Sequence, residues 1–404
     1  MFLPFTLPGE TVRAHLTGSR GGALTAAADA IDTPSPDRVP TACGHFGACG
    51  GCALQHWAAG PYRAWKADRL REALTRAGFA DPHVAATVAV APGARVRMDL
   101  ALRRLGGQLR LGLHRARAAE VIDLAECPVL HPDLVALLPG LRALVGGLAA
   151  LRREGAAVAN RLDRGIDLLL RTDAALTLAD RRRLAAFAAA AGLVRLSWAQ
   201  GDAGPEPVAA RLPPELTLAG VTVRPAPGAF LQAAATGAIQ DAVRAAFPEP
   251  LPRRARIVEL YAGVGTLSFA LAPLAPVAAF ESDLAAVAAL RQAAAAAGLA
   301  GRIRAEARDL TRRPLSPAEL QAEAVVLDPP EAGAAAQLPA LAAARPRLVV
   351  YVSCNPATLA RDASVLAGAG YHVAAATPID QFLWSARVES VTVFRRDGGE
   401  AARA

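Results

Sequence analysis

The chain has 404 residues, of which 53% are hydrophobic and 20% are charged. This length and composition allow a large buried core, which indicates a soluble globular protein of two or three domains and not a disordered chain. The formal net charge of +8 is compatible with a polyanionic partner such as RNA, and equally with an ordinarily solvated basic surface.

Two features argue against a membrane or secreted protein. The uncharged stretch at 260–280 contains Gly263, Gly265, Pro273 and Pro276, which favour a strand, a glycine loop and a helix over a membrane span. The N-terminal MFLPFTLPGE has neither a basic segment nor a small-residue cleavage site. We therefore expect a cytoplasmic, monomeric protein with no membrane partner.

Three of the five cysteines form a compact group. Cys43, Cys49 and Cys52 have C-x5-C-x2-C spacing in CGHFGACGGCALQHW, whose glycines let the backbone wrap closely around a ligand. Cys127, followed by a proline, could complete a four-thiolate site, for which zinc and an iron–sulfur cluster both fit. The odd number of cysteines argues against a disulfide framework, and unrelated reduced thiols are the remaining alternative.

The first 80 residues are predicted to be irregular before they become helical. Residues 17–41 are rich in glycine, aspartate and proline and are expected to form a loop. Apolar residues from Trp65 to Phe79 recur at helical spacing, which predicts a helix over 57–80.

The middle of the chain, about 84–235, is predicted to be an α+β unit. The alternating segments VRMDLAL and LRLGLHR predict antiparallel strands, and helical periodicity covers 134–152 and 179–191. Further strands are predicted in GIDLLLRT, LVRLSW and LTLAGVTVRP. Basic side chains on the first two strands could follow a phosphate backbone, although a solvated sheet face is the commoner explanation. They are Arg95, Arg97, Arg110, His114, Arg115 and Arg117.

Beyond a proline-rich linker at 248–252, strand, loop and helix alternate, which predicts a doubly wound, parallel α/β sheet. Gly263 and Gly265 follow the first strand and permit close approach of a nucleotide-like ligand. Glu281 ends the second strand, where an acid pairs with ribose hydroxyls. Ser268 replaces the third glycine of a dinucleotide fingerprint and no phosphate loop follows, which favours S-adenosylmethionine. Asp309 and Asp328 follow the next two strands and are expected to line the same ligand site, with an exposed loop position as the equal alternative for Asp309.

The apolar run from Leu348 to Val352 predicts a strand buried on both faces, with Cys354 at its carboxyl end. Asn355 can cap a helix that Pro356 begins, so we expect the helix dipole to favour the Cys354 thiolate. Cys354 is then a candidate nucleophile, and a buried structural cysteine is the alternative.

Glu389 lies within the apolar alternation of RVESVTVF near the C-terminus. A carboxyl group in such a setting should have a raised pKa, which suits a general base. The alternative is an edge-strand glutamate that faces water, and the sequence alone favours this alternative slightly.

Taken together, CGHFGACGGCALQH, AFLQA, ELYAGVG, FESD, LDPP, VSCNPATLARD and RVESV resemble the RNA (uracil-5-)-methyltransferase family over nearly the whole chain. The cysteine loop resembles the ribosomal-RNA branch of that family, and the opening LPGE resembles the end of the small RNA-binding β-barrel of many members. The resemblance implies a C-terminal doubly wound Rossmann-like methyltransferase domain and an α+β central domain that carries a cysteine cluster loop. The expected segments are a barrel remnant (1–18), a loop and cluster segment (19–83), a central RNA-binding domain (84–247), the methyltransferase domain (248–397) and a disordered tail (398–404).

The resemblance also implies a covalent mechanism. Cys354 thiolate adds to carbon 6 of uracil, carbon 5 attacks the sulfonium methyl, and Glu389 removes the carbon 5 proton before the thiolate leaves. A four-iron [4Fe-4S] cluster, with zinc as the alternative, would be held by Cys43, Cys49, Cys52 and Cys127. The S-adenosylmethionine site would be lined by Gln232, Tyr261, Thr266, Glu281, Asp309 and Asp328, beside Gly263 and Gly265.

Three positions depart from the family pattern and bear on which RNA is modified. Glu331 replaces the arginine of DPPR, Ala234 replaces an asparagine, and Arg387 stands where a histidine usually precedes Val-Glu. We expect the substrate to be 23S ribosomal RNA. A tRNA uridine-5 methyltransferase and a non-catalytic RNA-binding protein that keeps the fold are the alternatives.

Overall fold

The computed structural model describes residues 1–248 and 250–396, so the tail expected at 398–404 lies outside the described residues. The N-terminal part contains strands β1 (Thr11–Arg20) and β2 (Ala23–Thr33) and helix α1 (Ala59–Arg76). The predicted helix over 57–80 is confirmed by α1, but the loop predicted for 17–41 is wrong as far as Thr33, because β1 and β2 form a hairpin there. Gly21 and Gly22 have φ values of 54° and 79°, which a two-residue hairpin turn needs. The alanine-rich β2 is too weakly apolar to indicate a strand without its partner.

The middle of the chain is an α+β unit, as predicted. A seven-stranded sheet has the order β5-β4-β3-β6-β7-β8-β9, and its neighbouring strands are antiparallel except for β7 and β8. The helix predicted over 134–152 ends at Gly146, where a second glycine follows. The elements are β3 (Arg97–Leu105), β4 (Gln108–His114), β5 (Val121–Asp123), α2 (Pro132–Gly146), β6 (Glu154–Leu162), β7 (Gly165–Thr172), α3 (Leu178–Ala190), β8 (Arg195–Gln200), β9 (Glu206–Ala210), β10 (Leu216–Leu218) and β11 (Val221–Val223).

The C-terminal part is the predicted doubly wound α/β sheet. Its strand order is β14-β13-β12-β15-β16-β18-β17; the first five strands are parallel, and β18 runs antiparallel to both of its neighbours. The elements are α4 (Thr236–Ala245), β12 (Ile257–Leu260), α5 (Ser268–Leu271), β13 (Val277–Glu281), α6 (Leu284–Ala296), β14 (Ile303–Ala307), β15 (Ala324–Leu327), α7 (Leu338–Ala344), β16 (Leu348–Ser353), α8 (Pro356–Gly368), β17 (His372–Ile379) and β18 (Glu389–Arg395).

Strand β16 is buried on both faces, as its unbroken apolar run predicted. Val350 and Val352 pack into the core on one face of the sheet, and Val349 and Tyr351 pack into the core on the other face. Successive side chains along a strand point to opposite faces of the sheet, so all of them can be buried only when both faces are covered. Cys354 directly follows Ser353, the last residue of this strand, and is therefore held by a rigid support.

Helix α1 belongs to the core of the C-terminal sheet although it lies far away in sequence. Its Leu70 and Leu74 are fully buried and pack in the same cluster as Val349 and Tyr351 of β16. The chain that leads from the cysteine loop into α1 is thus attached directly to the sheet that carries Cys354. Among residues 1–248 and 250–396, no helix combines the length and apolar character that a membrane span requires.

Candidate active site

The predicted site residues converge at one edge of the C-terminal sheet. Parallel strands end at the same edge, so the residues that end or follow β12, β13, β15 and β16 meet there. Strand β18 runs the other way and therefore begins at this edge. Ser353 of β16 pairs with Ser390 of β18, which makes Cys354 and Glu389 neighbours across the two strands. The strand-end residues gathered here are Tyr261, Glu281, Asp328, Cys354 and Glu389.

Cys354 is half-buried, so it is not the fully buried structural cysteine of the alternative interpretation. The predicted cap is present, because the side chain of Asn355 accepts a 3.0 Å hydrogen bond from the N–H of Ala357. The expectation that this setting favours the thiolate is wrong for the free protein. Burial, followed by the negative charges of Glu389 and Asp328, raises the pKa of Cys354 to about 11. Desolvation and two carboxylates outweigh the helix dipole.

Glu389 is 3% exposed and lies between β16 and β17, not at an edge. The interpretation that the sequence slightly favoured, an edge glutamate facing water, is therefore wrong. Burial and the neighbouring Asp328 raise the pKa of Glu389 to about 8, and a hydrogen bond from Gln381 opposes this rise. Burial likewise raises the pKa of Asp328 to about 7. Two carboxyl groups that hold protons near neutral pH thus flank the thiol.

A pair of glutamines connects these two carboxyl groups. Gln232 Nε2 donates to Asp328 Oδ2 at 2.7 Å. Gln381 Nε2 donates to Gln232 Oε1 at 2.9 Å and to Glu389 Oε2 at 2.8 Å. Gln381 is not among the site residues predicted from the sequence. The only signal available was a polar pair, Asp380 and Gln381, directly after the apolar end of β17.

The two glycines of the first loop have different roles. A side chain at Gly263 would meet no atom within 4 Å, so this position leaves the open space that a bound ligand needs. A Cβ at Gly265 would lie 2.2 Å from Leu290 Cδ1, so this glycine is required by packing against α6. Glu281 holds the loop, because its Oε2 accepts from the N–H of Gly263 at 2.9 Å.

The remaining predicted cofactor residues lie around this loop. Tyr261 is half-buried with a φ of 63°, and the carbonyl of Thr266 accepts from Gln240 Nε2 at 2.7 Å. Asp309 is exposed and accepts a hydrogen bond from the N–H of Thr311 at 2.9 Å. This matches the alternative that Asp309 is an exposed loop residue. Burial raises the pKa of Tyr261 to about 12, so its hydroxyl is a neutral donor and acceptor.

The four cysteines of the predicted ligand set, which are all half-buried, line one cavity of about 420 Å³. The cysteine loop reaches Cys127 through neighbouring contacts: the N–H of Gly44 donates to Glu126 Oε1 at 2.6 Å, and the N–H of Gly50 donates to the carbonyl of His114 at 2.9 Å. Their convergence fits the donor set of a four-thiolate group.

The four thiols are not arranged around a common point at which a metal ion could bind. Within the described part of the chain, no group of three or more His, Cys, Asp or Glu side chains is arranged to hold a metal ion. Burial raises the pKa of each of the four cysteines, for Cys52 to about 11. Ligation would therefore have to remove these protons and tighten the loop.

Several basic side chains predicted to face a phosphate backbone are engaged within the protein. Arg97 is buried and donates to Asp99 and to the carbonyl of Ala229, while Arg110 and Arg115 both pair with Glu120. These contacts argue against a free phosphate-binding row; the partly exposed Arg110 and Arg115 match the solvated-face explanation, and the buried Arg97 matches neither.

Comparison with known proteins identifies the family. A family model described as tRNA (Uracil-5-)-methyltransferase matches residues 228–397. An uncharacterized RNA methyltransferase of Caulobacter vibrioides is 41% identical over 403 residues, which cover 98% of this chain and 94% of the relative. The 23S rRNA (uracil(1939)-C(5))-methyltransferase of Klebsiella pneumoniae is 33% identical over 412 residues, which cover 98% of this chain and 91% of the relative.

The fold agrees with this assignment. The tRNA (uracil-54, C5)-methyltransferase of Pyrococcus abyssi, solved with S-adenosyl-L-homocysteine, superimposes with a TM-score of 0.71 over 97% of this chain and 94% of that one, at 20% identity. The likeness extends over the whole chain and is not limited to the Rossmann-like sheet. The chain is therefore an enzyme of the RNA (uracil-5-)-methyltransferase family.

Proposed function

We propose that this protein transfers a methyl group from S-adenosylmethionine to carbon 5 of a uridine in 23S ribosomal RNA, through a covalent adduct between Cys354 and carbon 6. The observation that carries the proposal is the pairing of Ser353 with Ser390, which sets a thiol and a buried carboxyl group side by side at the open edge of the sheet. The 33% identity to a 23S rRNA (uracil(1939)-C(5))-methyltransferase supports ribosomal RNA as the substrate.

In this proposal each group near Cys354 has a defined task. The sulfur adds to carbon 6, because carbon 5 of uracil is too weak a nucleophile without this addition. The cofactor supplies an electrophilic methyl group. Glu389 then takes the carbon 5 proton; its raised pKa suits a base that must accept a proton and later release it. The sulfur–carbon bond breaks last and restores the ring and the thiolate.

The cofactor would lie over the loop at Gly263, where the backbone leaves open space. Glu281 would accept from ribose hydroxyls with the carboxylate lone pairs that its loop contacts leave free. Gln232 and Asp328 would face the methionine part, next to the reacting groups. The full proposed set is Gln232, Tyr261, Gly263, Gly265, Thr266, Glu281, Asp309 and Asp328.

Nucleoside mass spectrometry tests the reaction and the substrate together. Unmodified ribosomal RNA and tRNA are incubated with the protein and S-adenosylmethionine and separated by size before digestion. We expect 5-methyluridine in the ribosomal fraction alone. Its appearance only in tRNA would contradict the substrate and keep the chemistry, whereas no product in either would contradict the reaction. Cys354→Ala should abolish methyl transfer while the variant still binds S-adenosylhomocysteine.

We also propose that Cys43, Cys49, Cys52 and Cys127 hold a [4Fe-4S] cluster, supported by their shared cavity. Four thiolates would fill the ligand set, so the cluster would stabilise the loop and take no part in methyl transfer. Protein purified anaerobically should be brown and contain about four irons per chain. Colourless protein with stoichiometric zinc would contradict the cluster, and Cys127→Ser should lose the bound metal in either case.

A further inference from the structure

Gln381 is a buried polar residue that neither the proposed catalytic pair nor the proposed cofactor site includes. It is 3% exposed and follows the end of β17, close to the start of β18. Both polar atoms of its side chain have partners, and those partners come from two separate parts of the chain, the segment 232–235 and Glu389. Such a residue either stabilises the fold alone or also fixes the orientation of the group that it contacts.

The orientation of the Gln381 amide is determined by the backbone. Its Oε1 accepts from the N–H of Ala235 at 3.1 Å and, at a longer 3.5 Å, from that of Ala234, immediately before α4. A reversed amide would direct N–H groups at these N–H groups, so the reversal is disfavoured. Nε2 must therefore point the other way, and it donates one hydrogen to Gln232 and the other to Glu389.

This orientation makes the two oxygens of Glu389 inequivalent. Oε2 accepts the hydrogen bond from Gln381 at 2.8 Å and is held as an acceptor. A proton on Oε2 would weaken this bond, because a neutral hydroxyl oxygen is a poorer acceptor than a carboxylate oxygen, whereas a proton on Oε1 leaves the accepting lone pair of Oε2 in place. The same amide is tied through Gln232 to Asp328, whose Oδ2 accepts at 2.7 Å.

We propose that Gln381 is a positioning residue that assigns Oε1 of Glu389 as the atom that receives the carbon 5 proton. This inference rests on the proposed function. In the step that it controls, the carbon 5–hydrogen bond breaks and the proton passes to Oε1. The electron pair of that bond forms the carbon 5–carbon 6 double bond, and the sulfur leaves carbon 6 as the Cys354 thiolate.

The test separates methyl transfer from proton removal. Ribosomal RNA that carries tritium at carbon 5 of uridine is methylated by wild type, Gln381→Leu and Gln381→Met. Tritium release measures proton removal, and a denaturing gel measures the methylated adduct between RNA and protein. Neither variant can donate a hydrogen bond, and the unbranched methionine side chain is close to glutamine in length and shape.

We expect both variants to form the methylated adduct and to accumulate it, while tritium release falls by about 100-fold, the loss that a misplaced catalytic group produces. Gln337→Leu is the matched control, because Gln337 is also buried and its side chain hydrogen-bonds, among the described residues, to Leu315 alone. It should lower stability without accumulating adduct.

The other possible results distinguish an error in the positioning role from an error in the proposed function. If the Gln381 variants release tritium at the wild-type rate, or lose adduct formation and release in parallel as a destabilised protein would, the positioning role is wrong. If the wild type methylates no uridine and forms no adduct, the proposed function is wrong instead. The methionine variant keeps the test informative if the leucine variant fails to fold.

Discussion

Glu331 and Arg387 form an ion pair, with 3.0 Å between Oε2 and Nη2, that joins the loop after β15 to the loop before β18. These are two of the positions at which the sequence departs from the family pattern, and the structure makes them partners. Both side chains are about half exposed and both act on Cys354, whose pKa is raised by Glu331 and lowered by Arg387. The departures therefore compensate each other in charge at the opening of the site.

This pair predicts opposite effects of two neutralising substitutions on the Cys354 thiol. Glu331→Gln should lower the pH at which the thiol reacts with iodoacetamide, and Arg387→Gln should raise it, because each removes one charge near the sulfur. The rate is followed by mass spectrometry of the peptide that contains Cys354. A shift in the same direction for both variants would contradict the role of the pair. The effect on stability should be below about 1 kcal/mol, since exposed ion pairs contribute little.

The rate of methyl transfer should rise with pH. Glu389, with a pKa of about 8, must be ionised to accept a proton, and the ionised fraction grows as the pH passes through that value. Cys354, with a pKa of about 11, must lose its proton to attack, so its thiolate fraction grows about tenfold per pH unit below 11. We expect the logarithm of kcat/KM, which covers the steps through methyl transfer, to rise with a slope near one from the Cys354 thiolate, and tritium release from the methylated adduct to rise through pH 8 as Glu389 ionises. A profile that is flat from pH 6 to 9 would contradict these assignments.

The single lysine of the sequence should be essential for stability. Lys66 is fully buried in α1; its Nζ lies 2.5 Å from Asp380 Oδ1 and donates to the carbonyl of Phe382 at 3.0 Å. Lys66→Met would leave Asp380 buried without its ionic partner, which costs about 3 to 5 kcal/mol. Urea denaturation measures this loss.

Two controls define the origin of that loss. Asp380→Asn added to Lys66→Met should recover part of the stability, because the unpaired charge is gone while the hydrogen bond from the Tyr62 hydroxyl can remain. Arg76→Met, an exposed position on the same helix, should change stability by less than about 0.5 kcal/mol. A loss for Lys66→Met as small as that of Arg76→Met would contradict the ion-pair argument.

The two loop glycines should give separable phenotypes. Gly265→Ala places a Cβ 2.2 Å from Leu290 Cδ1 and 2.6 Å from Phe269 Cε2, so we expect a large fall in the melting temperature. Gly263→Ala meets no atom within 4 Å, and its positive φ should cost only about 1 to 2 kcal/mol. Calorimetry with S-adenosylhomocysteine should nevertheless show weaker binding for Gly263→Ala. Equal binding by this folded variant and wild type would place the ligand elsewhere.

Much of the site could be predicted because its parts are local in sequence. The apolar run of β16 followed by Cys354, Asn355 and Pro356 predicts a strand, a thiol and a capped helix without knowledge of the rest of the chain. The glycine loop and Glu281 lie within one strand–helix–strand unit, whose handedness is nearly always the same. The cysteine spacing similarly predicts a ligand loop from ten residues.

The family, the α/β class and the residues at strand ends could all be predicted from the sequence, because they follow from short-range patterns. The burial of Glu389 required the three-dimensional fold, since β17 lies outside β18 and removes Glu389 from the edge of the sheet. The fold also decided that the Cys354 thiol resists ionisation, that Gln381 contacts Glu389, and that Glu331 pairs with Arg387. Burial and electrostatic energy depend on groups that are distant in sequence, so a local sequence pattern cannot predict them.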